Sequence, residues 1–202
     1  MLFRSSIEIY YAGESAFADI TLPSIGGFRS GDLFVVQIGS SNNAASAVAV
    51  TPKANITNIL GTKYSVSVNV AIGVCPLGPG DITVDIGDQA YTQGWVVRNA
   101  TVTGIVQGTS NLDVSNEITA VANGSAMFQV GSIKLSAVGT VPTSADSRFI
   151  DKRAFGTGIG PDHTLQGAVG IYDAGAQYTT GTVTFADNTE RGSICLSPVT
   201  AS

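Results

Sequence analysis

The sequence predicts an all-β protein, specifically an antiparallel β-sandwich of jelly-roll type, and three observations lead to this prediction. The 202-residue chain contains 17 Ile, 21 Val and 20 Thr against 9 Leu, and β-branched residues favour strands over helices. Glu and Lys, which commonly cover exposed helix faces, number only four each. Strand-like segments recur along the chain between Gly, Pro, Asn and Asp. One sandwich domain over residues 1–202 is an ordinary size for this class.

The first half of the chain shows the clearest strand patterns. Short alternating segments at 3–11 and 16–22 come first, and Leu33 to Ile38 then forms a continuous apolar run, typical of a strand at the centre of a sandwich. Residues 63–75 alternate Val or Ile with smaller side chains over five successive repeats, which leaves no helical interpretation. Residues 81–86 follow a Pro/Gly turn and look like the return strand of a hairpin.

The second half predicts further strands and one long loop. Residues 90–106 form one long strand region with a possible bulge at Gly94. Residues 114–121 and 125–138 are predicted to pair around Asn123-Gly124, a strong hairpin signal. We expect an irregular loop at 139–164, which contains two Pro, four Gly and the densest charge, and three final strands at 166–173, 181–187 and 192–199.

Composition excludes several classes of function. Charged residues make up 12% of the chain and the net charge is -5, so the basic field that nucleic acid or an anionic membrane requires is absent. The N-terminal residues lack the apolar core of a secretory signal peptide. Cys75, Cys195 and the single His163 are too few for a Cys/His zinc site, and no nucleophile elbow is present. We therefore expect no enzyme, cofactor or metal, and free thiols in a reducing cytoplasm.

One segment stands out as a candidate contact surface. Residues 146–153, DSRFIDKR, hold three of the ten basic residues and two of the fifteen acidic ones. An apolar pair ringed by charges is typical of a protein–protein contact. The equally weighted alternative is a loop pinned to its own core by Phe149. The predicted contact residues are Arg148, Phe149, Ile150, Asp151, Lys152 and Arg153.

A second candidate site is aromatic. Tyr91, Gln93 and Trp95 share one face of the predicted strand at 90–106, and an exposed Tyr/Trp strip beside an amide could stack on sugar rings. Trp95 is followed by Val96 and Val97, which favours a buried core anchor over a sugar platform.

The succession SIEIYYAGESAFADITLPSIGG, GDLFVVQIGSS, YSVSVNVAIGVC and GDITVDIGDQAYTQGWVV, with the closing GTVTFADNTERGSICLSPV, resembles the jelly-roll accessory proteins of tailed bacteriophages. These include capsid decoration (cement) proteins, head fibres and tail modules. The resemblance implies a non-enzymatic virion protein made in the host cytoplasm. It further implies a decoration protein, often a homotrimer, that binds the major capsid protein and stabilises contacts between capsid subunits. The alternative is a carbohydrate- or receptor-binding module of a tail or fibre.

Overall fold

Fifteen β-strands and no helix make up the part of the chain that the structure describes. The structure is a computed structural model that describes residues 6–16, 20–22, 31–40, 49–51, 56–63, 66–74, 82–85, 90–107, 117–134, 144, 146–155, 163–179 and 190–199. The strands are β1 (Glu8–Ala16), β2 (Ile20–Leu22), β3 (Leu33–Ser40), β4 (Ala49–Thr51), β5 (Ile56–Lys63), β6 (Val66–Val74), β7 (Ile82–Asp85), β8 (Ala90–Arg98), β9 (Ala100–Gln107), β10 (Glu117–Thr119), β11 (Ser125–Lys134), β12 (Phe149–Phe155), β13 (His163–Tyr172), β14 (Gln177–Thr179) and β15 (Glu190–Pro198).

Two five-stranded antiparallel sheets form the body of the fold. Sheet one has the strand order β1-β8-β3-β6-β5, and sheet two has the order β12-β13-β11-β15-β9. The sheets contact each other through several strand pairs, including β13 with β3 and β11 with β6. This arrangement confirms the predicted all-β sandwich. It also places β3, with the apolar run at 33–38, at the centre of sheet one.

Each large sheet is built from one half of the chain. The strands of sheet one lie within residues 8–98, and those of sheet two lie within 100–198. Two smaller sheets, β2-β7-β4 and β10-β14, come from the first and second halves respectively. The more specific jelly-roll topology is not confirmed by this order.

A single residue, Asn99, carries the chain from one sheet to the other. Its φ of 59° lies in the left-handed region, which Asn tolerates better than most residues. The side-chain amide donates to the Ser6 carbonyl (3.1 Å), and the Asn99 carbonyl accepts from the Val199 amide (2.9 Å). The predicted strand region at 90–106 is confirmed, but this corner divides it into two strands, β8 and β9. The bulge predicted at Gly94 lies on the partner strand instead. It falls between Tyr11 and Gly13 of β1, where Gly13 pairs with Gly94.

The inner core lies between the two large sheets. Trp95 is 1% exposed and makes edge-to-face contacts with Tyr11 of its own sheet and Phe128 of sheet two, each with ring centroids 5.7 Å apart. A Cβ on Gly167 would lie 2.7 Å from the Trp95 ring, so only glycine fits at this position without a shift of the ring. The buried aliphatic residues that complete this core are Leu33, Val35, Val97, Val130, Val169, Ile194 and Leu196.

A second apolar cluster covers the opposite face of sheet two. Ile118 and Ala120, at and just after β10, pack with Met127, Tyr172 and Cys195. Cys195 is a free, fully buried thiol. Cys195 faces away from the inner core, and the outer cluster buries it on that side of sheet two. Cys75 lies outside the described residues.

Two predicted hairpins were wrong. β10 pairs with β14 instead of β11, and β7 pairs with β2 and β4 instead of β6. A type I′ hairpin turn needs positive φ at both central residues. Of Asn123 and Gly124, only Gly124 has it (77°), so the turn directs the chain out of the sheet.

The predicted loop at 139–164 also needed correction. Residues 149–155 form β12, and β13 begins at His163. The charged centre of β12 concealed its strand character in the sequence, because the charges interrupt the apolar alternation that usually marks a strand.

Candidate functional site

The predicted contact segment lies at the edge of sheet two. β12 is the last strand in the sheet order and pairs with β13. The pairing shifts between Phe149 and Asp151, so Ile150 is the extra residue of a β-bulge. Ile150 is 67% exposed, the most exposed large hydrophobic side chain among the described residues. We refer to Arg148, Ile150 and the outer side of β12 together as the β12 edge.

Phe149, which precedes the bulge, points inward. Its ring is 5% exposed and meets Tyr172 edge to face at a centroid distance of 5.9 Å. This is the pinning role that the sequence offered as the alternative for the segment. The structure thus combines the two interpretations, because Phe149 anchors the segment while Ile150 beside it faces solvent.

An ion pair fixes the residues that lead into β12. Arg148 Nε donates to Asp146 Oδ1 at 2.8 Å, and Nη2 donates to Oδ2 at 2.6 Å. The Arg148 guanidinium also lies over the Tyr172 ring, 4.1 Å from its centroid, and the Tyr172 hydroxyl donates to Asp146 Oδ2 at 2.9 Å. The three side chains therefore form one closed network, in which a cation stacks on the ring and the ring hydroxyl returns to the anion.

The electrostatics of this network stabilise its charged form. The hydrogen bond from Arg148 lowers the pKa of the Asp146 carboxyl to about 2, with smaller help from the Tyr172 hydroxyl. The same hydrogen bond raises the pKa of Arg148. Burial, followed by donation to Asp146, raises the pKa of Tyr172 well above its usual range. The network consequently stays in one protonation state over the neutral range, and its geometry serves positioning better than proton transfer.

Backbone contacts complete the positioning. The Ile171 amide donates to the Arg148 carbonyl at 3.2 Å, and a Cβ on Gly170 would lie 2.9 Å from that same oxygen. Beyond the bulge, Asp151 is half-buried and accepts a hydrogen bond from the Trp95 indole at 3.3 Å. The strand β12 is therefore tied to both sheets. Lys152 and Arg153 belong to β12 by their backbone, and their side chains lie outside the description.

A second ion cluster lies at the start of β3. Arg98 is 5% exposed and donates to both carboxylate oxygens of buried Asp32, with Nη2 to Oδ2 at 3.0 Å and Nε to Oδ1 at 3.1 Å. Glu8 lies 3.4 Å from the same guanidinium, which also faces the Tyr10 ring. The hydrogen bonds to Asp32 raise the pKa of Arg98 although burial opposes the shift. Two carboxylates therefore surround one guanidinium. The cluster connects the start of β1, the start of β3 and the end of β8, next to Asn99.

The predicted sugar platform does not form. Trp95 and Gln93 are 1% and 0% exposed, so neither can stack on or bind a sugar from solvent in this fold. The physical reason is that sheet two covers this face of β8, as the contact between Trp95 and Phe128 shows. The core-anchor interpretation of Trp95 is confirmed. The Tyr91 side chain lies outside the description.

The remaining candidates for chemistry are few. Among the described residues, no group of three or more His, Cys, Asp and Glu side chains is placed to hold a metal ion. His163 begins β13 opposite Lys134, and its side chain is not described. Within the same described residues, no helix is long and apolar enough to cross a membrane.

The sequence analysis did not identify the network of side chains that holds the site in place. The Asp146-Ser-Arg148 spacing was a usable signal, because a carboxylate two residues before an Arg can bind both its backbone amide and its guanidinium, as it does here. Tyr172, 24 positions further along, had no such signal, because its role depends on the pairing of β12 with β13.

No protein-family model, curated protein or solved structure matches the chain.

Proposed function

We propose that this chain is a non-enzymatic structural protein of a bacteriophage virion, and that it acts as a capsid decoration protein. In this role it binds the outer shell and stabilises contacts between capsid subunits. Its partners are the major capsid protein and copies of itself, and the role requires no cofactor, nucleic acid or membrane. The protein is made in the host cytoplasm and resides in the particle.

The observation that carries the proposal is the β12 edge. Ile150 is held in the open by rigid neighbours, since Phe149 is buried on one side and Asp151 is hydrogen-bonded to Trp95 on the other. An exposed apolar side chain on a pre-organised backbone loses little conformational entropy when a partner covers it. This suits a surface meant for a permanent protein contact.

The ion pair at this surface supports the same role, because Arg148 and Asp146 neutralise each other. Only 12% of the residues are charged in the first place. Bringing such a surface against a neighbour removes few unpaired ions from water, which keeps the desolvation penalty small.

The direct test uses particles of the phage whose genome encodes the chain. Purified particles should contain the chain in a fixed ratio to the major capsid protein, measured by quantitative mass spectrometry. Particles made without the gene should bind the purified protein and then tolerate higher temperature before they release DNA. Absence of the chain from particles, or binding that leaves shell stability unchanged, would refute the decoration role.

A matched pair of variants locates the contact. Ile150→Asp should lower binding to such particles by at least tenfold, because it places a charge at the centre of the contact. Val121→Asp is the control, since Val121 is similarly exposed (61%) but lies in the segment between β10 and β11. Equal loss of binding in both variants would exclude the β12 edge as the contact surface.

A further inference from the structure

We infer that the chain is an internal duplication, in which residues 8–98 (unit one) and residues 100–198 (unit two) are copies of one structural unit. Each unit supplies one large sheet of the sandwich. The inner face of each sheet is therefore an interaction surface, and the partner that fits it is another copy of the same unit. The whole chain corresponds to a homodimer joined into one polypeptide, an arrangement that is independent of the proposed role in a virion.

The two units have the same strand order. In chain order, β1, β3, β5, β6 and β8 of unit one correspond to β9, β11, β12, β13 and β15 of unit two. With these matches the order of sheet one, β1-β8-β3-β6-β5, becomes β9-β15-β11-β13-β12, which is the order observed in sheet two. The small sheets agree as well, because β2 and β7 pair with each other as β10 and β14 do. Within the described residues, only β4 lacks a counterpart in the other unit.

The register agrees across the three central strands of each sheet. Leu33 of β3 and Ala126 of β11 occupy the same place, and each is paired on both sides. In the order β8, β3, β6 against β15, β11, β13, the equivalent rows are Val97, Leu33 and Val74 against Leu196, Ala126 and Ile171, and then Trp95, Val35 and Ile72 against Ile194, Phe128 and Val169. The similar sequences AIGV at 71–74 and AVGI at 168–171 fall at equivalent places on β6 and β13.

Irregular features also recur at equivalent places. Gly31 lies two residues before Leu33, Gly124 lies two residues before Ala126, and both glycines have positive φ, 91° and 77°. Glycine is the residue that adopts this conformation most readily. In addition, the first strand of each unit, β1 or β9, has one extra residue in its pairing with β8 or β15. The shared strand order therefore extends to the turns and bulges.

The residues that follow these two glycines contact equivalent neighbours. Asp32 binds Arg98 at the end of β8, with Nη2 to Oδ2 at 3.0 Å. In unit two the Ser125 hydroxyl lies 3.2 Å from the hydroxyl of Ser197, near the end of β15. The side chains differ and the contact is the same, as expected of two copies that have diverged.

The two sheets pack on each other symmetrically. β3 contacts β13, and their counterparts β11 and β6 contact each other as well. In the same way β8 contacts β12, and β15 contacts β5. In a two-fold symmetric interface every contact occurs twice with the roles of the two copies exchanged. These strand contacts thus define a pseudo-two-fold axis between the sheets.

The path of the chain fits a tandem duplication. Asn99 donates to the Ser6 carbonyl and accepts from the Val199 amide, so the start of unit one, the link and the end of unit two meet at one place. Because each unit begins and ends there, a single residue is enough to join the two.

The two copies have diverged in a compensating way at the centre of the interface. Trp95 and Phe128 meet edge to face across the sheets, with ring centroids 5.7 Å apart. Their equivalents, Ile194 and Val35, are smaller, and both are fully buried in the same core. The larger side chain lies on β8 in unit one and on β11 in unit two. A fused interface permits this difference, because its two sides need not be identical.

A third equivalent pair supplies the test. Gly167 leaves room for the Trp95 ring and corresponds to Val70, because both lie in the next row, two residues further along β11 and β3. Position 194 therefore lies relative to position 70 as position 95 lies relative to position 167.

The first experiment measures the coupling between positions 194 and 70 in the full chain, by urea denaturation followed through Trp95 fluorescence. Ile194→Phe should lower the folding equilibrium constant by about tenfold, because the ring overpacks the core. Val70→Ala should lower that constant in the wild type and raise it in Ile194→Phe, where it makes room for the ring. Val68→Ala is the matched control, since it makes the same truncation one row away on β6 and should have the same effect in both backgrounds.

The second experiment exchanges the three equivalent pairs within one chain. The fully exchanged chain combines Trp95→Ile with Ile194→Trp, Val35→Phe with Phe128→Val, and Val70→Gly with Gly167→Val. It keeps the wild-type composition and should fold cooperatively, with its one tryptophan still buried by emission spectrum. The chain that exchanges only Trp95 and Ile194 is the matched control. Its folding equilibrium constant should be about a hundredfold below that of the wild type, because it overpacks one sheet and leaves a cavity in the other.

Either of two results would overturn the duplication. One is an effect of Val70→Ala that is the same in both backgrounds or is matched by Val68→Ala. The other is a fully exchanged chain that is no more stable than the partly exchanged control. Both experiments use the isolated protein, so their outcome is separate from that of the particle-binding tests of the virion role.

Discussion

Replacing Arg98 by methionine should destabilise the protein by about 3–5 kcal/mol, because the change leaves Asp32 as a buried carboxylate without its cation. Asp32 is 2% exposed, and Arg98 donates to it from Nε at 3.1 Å and from Nη2 at 3.0 Å. Methionine retains most of the apolar stem of the side chain, so the loss reports mainly on charge. Against a total stability of about 5–15 kcal/mol, a change of this size is large.

The structure offers a comparison pair of the same chemistry in a different environment. Arg148 also contacts both carboxylate oxygens of an aspartate, Asp146, but its side chain is 46% exposed. Arg148→Met should lower the free energy of unfolding by about 1 kcal/mol, which is the upper end of the range for ion pairs exposed to solvent. The difference between the two variants thus measures the effect of burial on one kind of ion pair.

Urea denaturation at pH 7, followed by the fluorescence of the single tryptophan, gives the free energy of unfolding for each variant. The double variant Asp32→Leu, Arg98→Met should recover at least half of the loss, because it removes the uncompensated charge along with the pair. The reasoning is refuted if Arg98→Met lies within 1 kcal/mol of the wild type, or if the double variant is no more stable than the single one.

Three further predictions follow from the described contacts. The pKa of Asp146 is lowered to about 2, so its contribution of about 1 kcal/mol is present above pH 4 and is lost progressively as the pH falls through 2. In urea melts Asp146→Asn should therefore be less stable than the wild type at pH 7, and most of this difference should be gone at pH 2. Gly167→Ala should lower stability by about 1–3 kcal/mol, since its Cβ would lie 2.7 Å from the Trp95 ring, and Trp95→Phe in the same chain should recover part of the loss in thermal melts. Trp95 should resist iodide quenching and keep its emission spectrum when polysaccharides are added; strong quenching in the folded protein would contradict its burial.

Several features of the fold were readable in the sequence because they depend on local pattern. The apolar run at Leu33–Ile38 became the central strand of sheet one, and the alternation in 63–75 became β6. The succession Trp95, Val96 and Val97 correctly favoured a core anchor over a sugar platform. In each case the signal is an apolar strand face, and the order of neighbouring residues along the chain is enough to reveal it.

Strand pairing was not readable to the same degree. The Asn123-Gly124 dipeptide marked a turn, but β10 left the sheet to pair with β14. The strand region at 90–106 was recognised, but Asn99 divided it between two sheets. Both outcomes depend on which distant strand offers a free edge and an apolar face, and no short window of sequence contains that information.

For the candidate site, the sequence by itself determined that residues 146–153 combine charge with an apolar pair, and that Phe149 could serve as an anchor. Only the tertiary structure decided that Phe149 packs on Tyr172 while Ile150 faces solvent, because Ile150 is the unpaired extra residue of the bulge in β12. Only in the tertiary structure do Asp146, Arg148 and Tyr172 come together in one hydrogen-bonded network. The physical reason is that exposure and pairing are properties of a sheet edge, and an edge exists only once distant strands have come together.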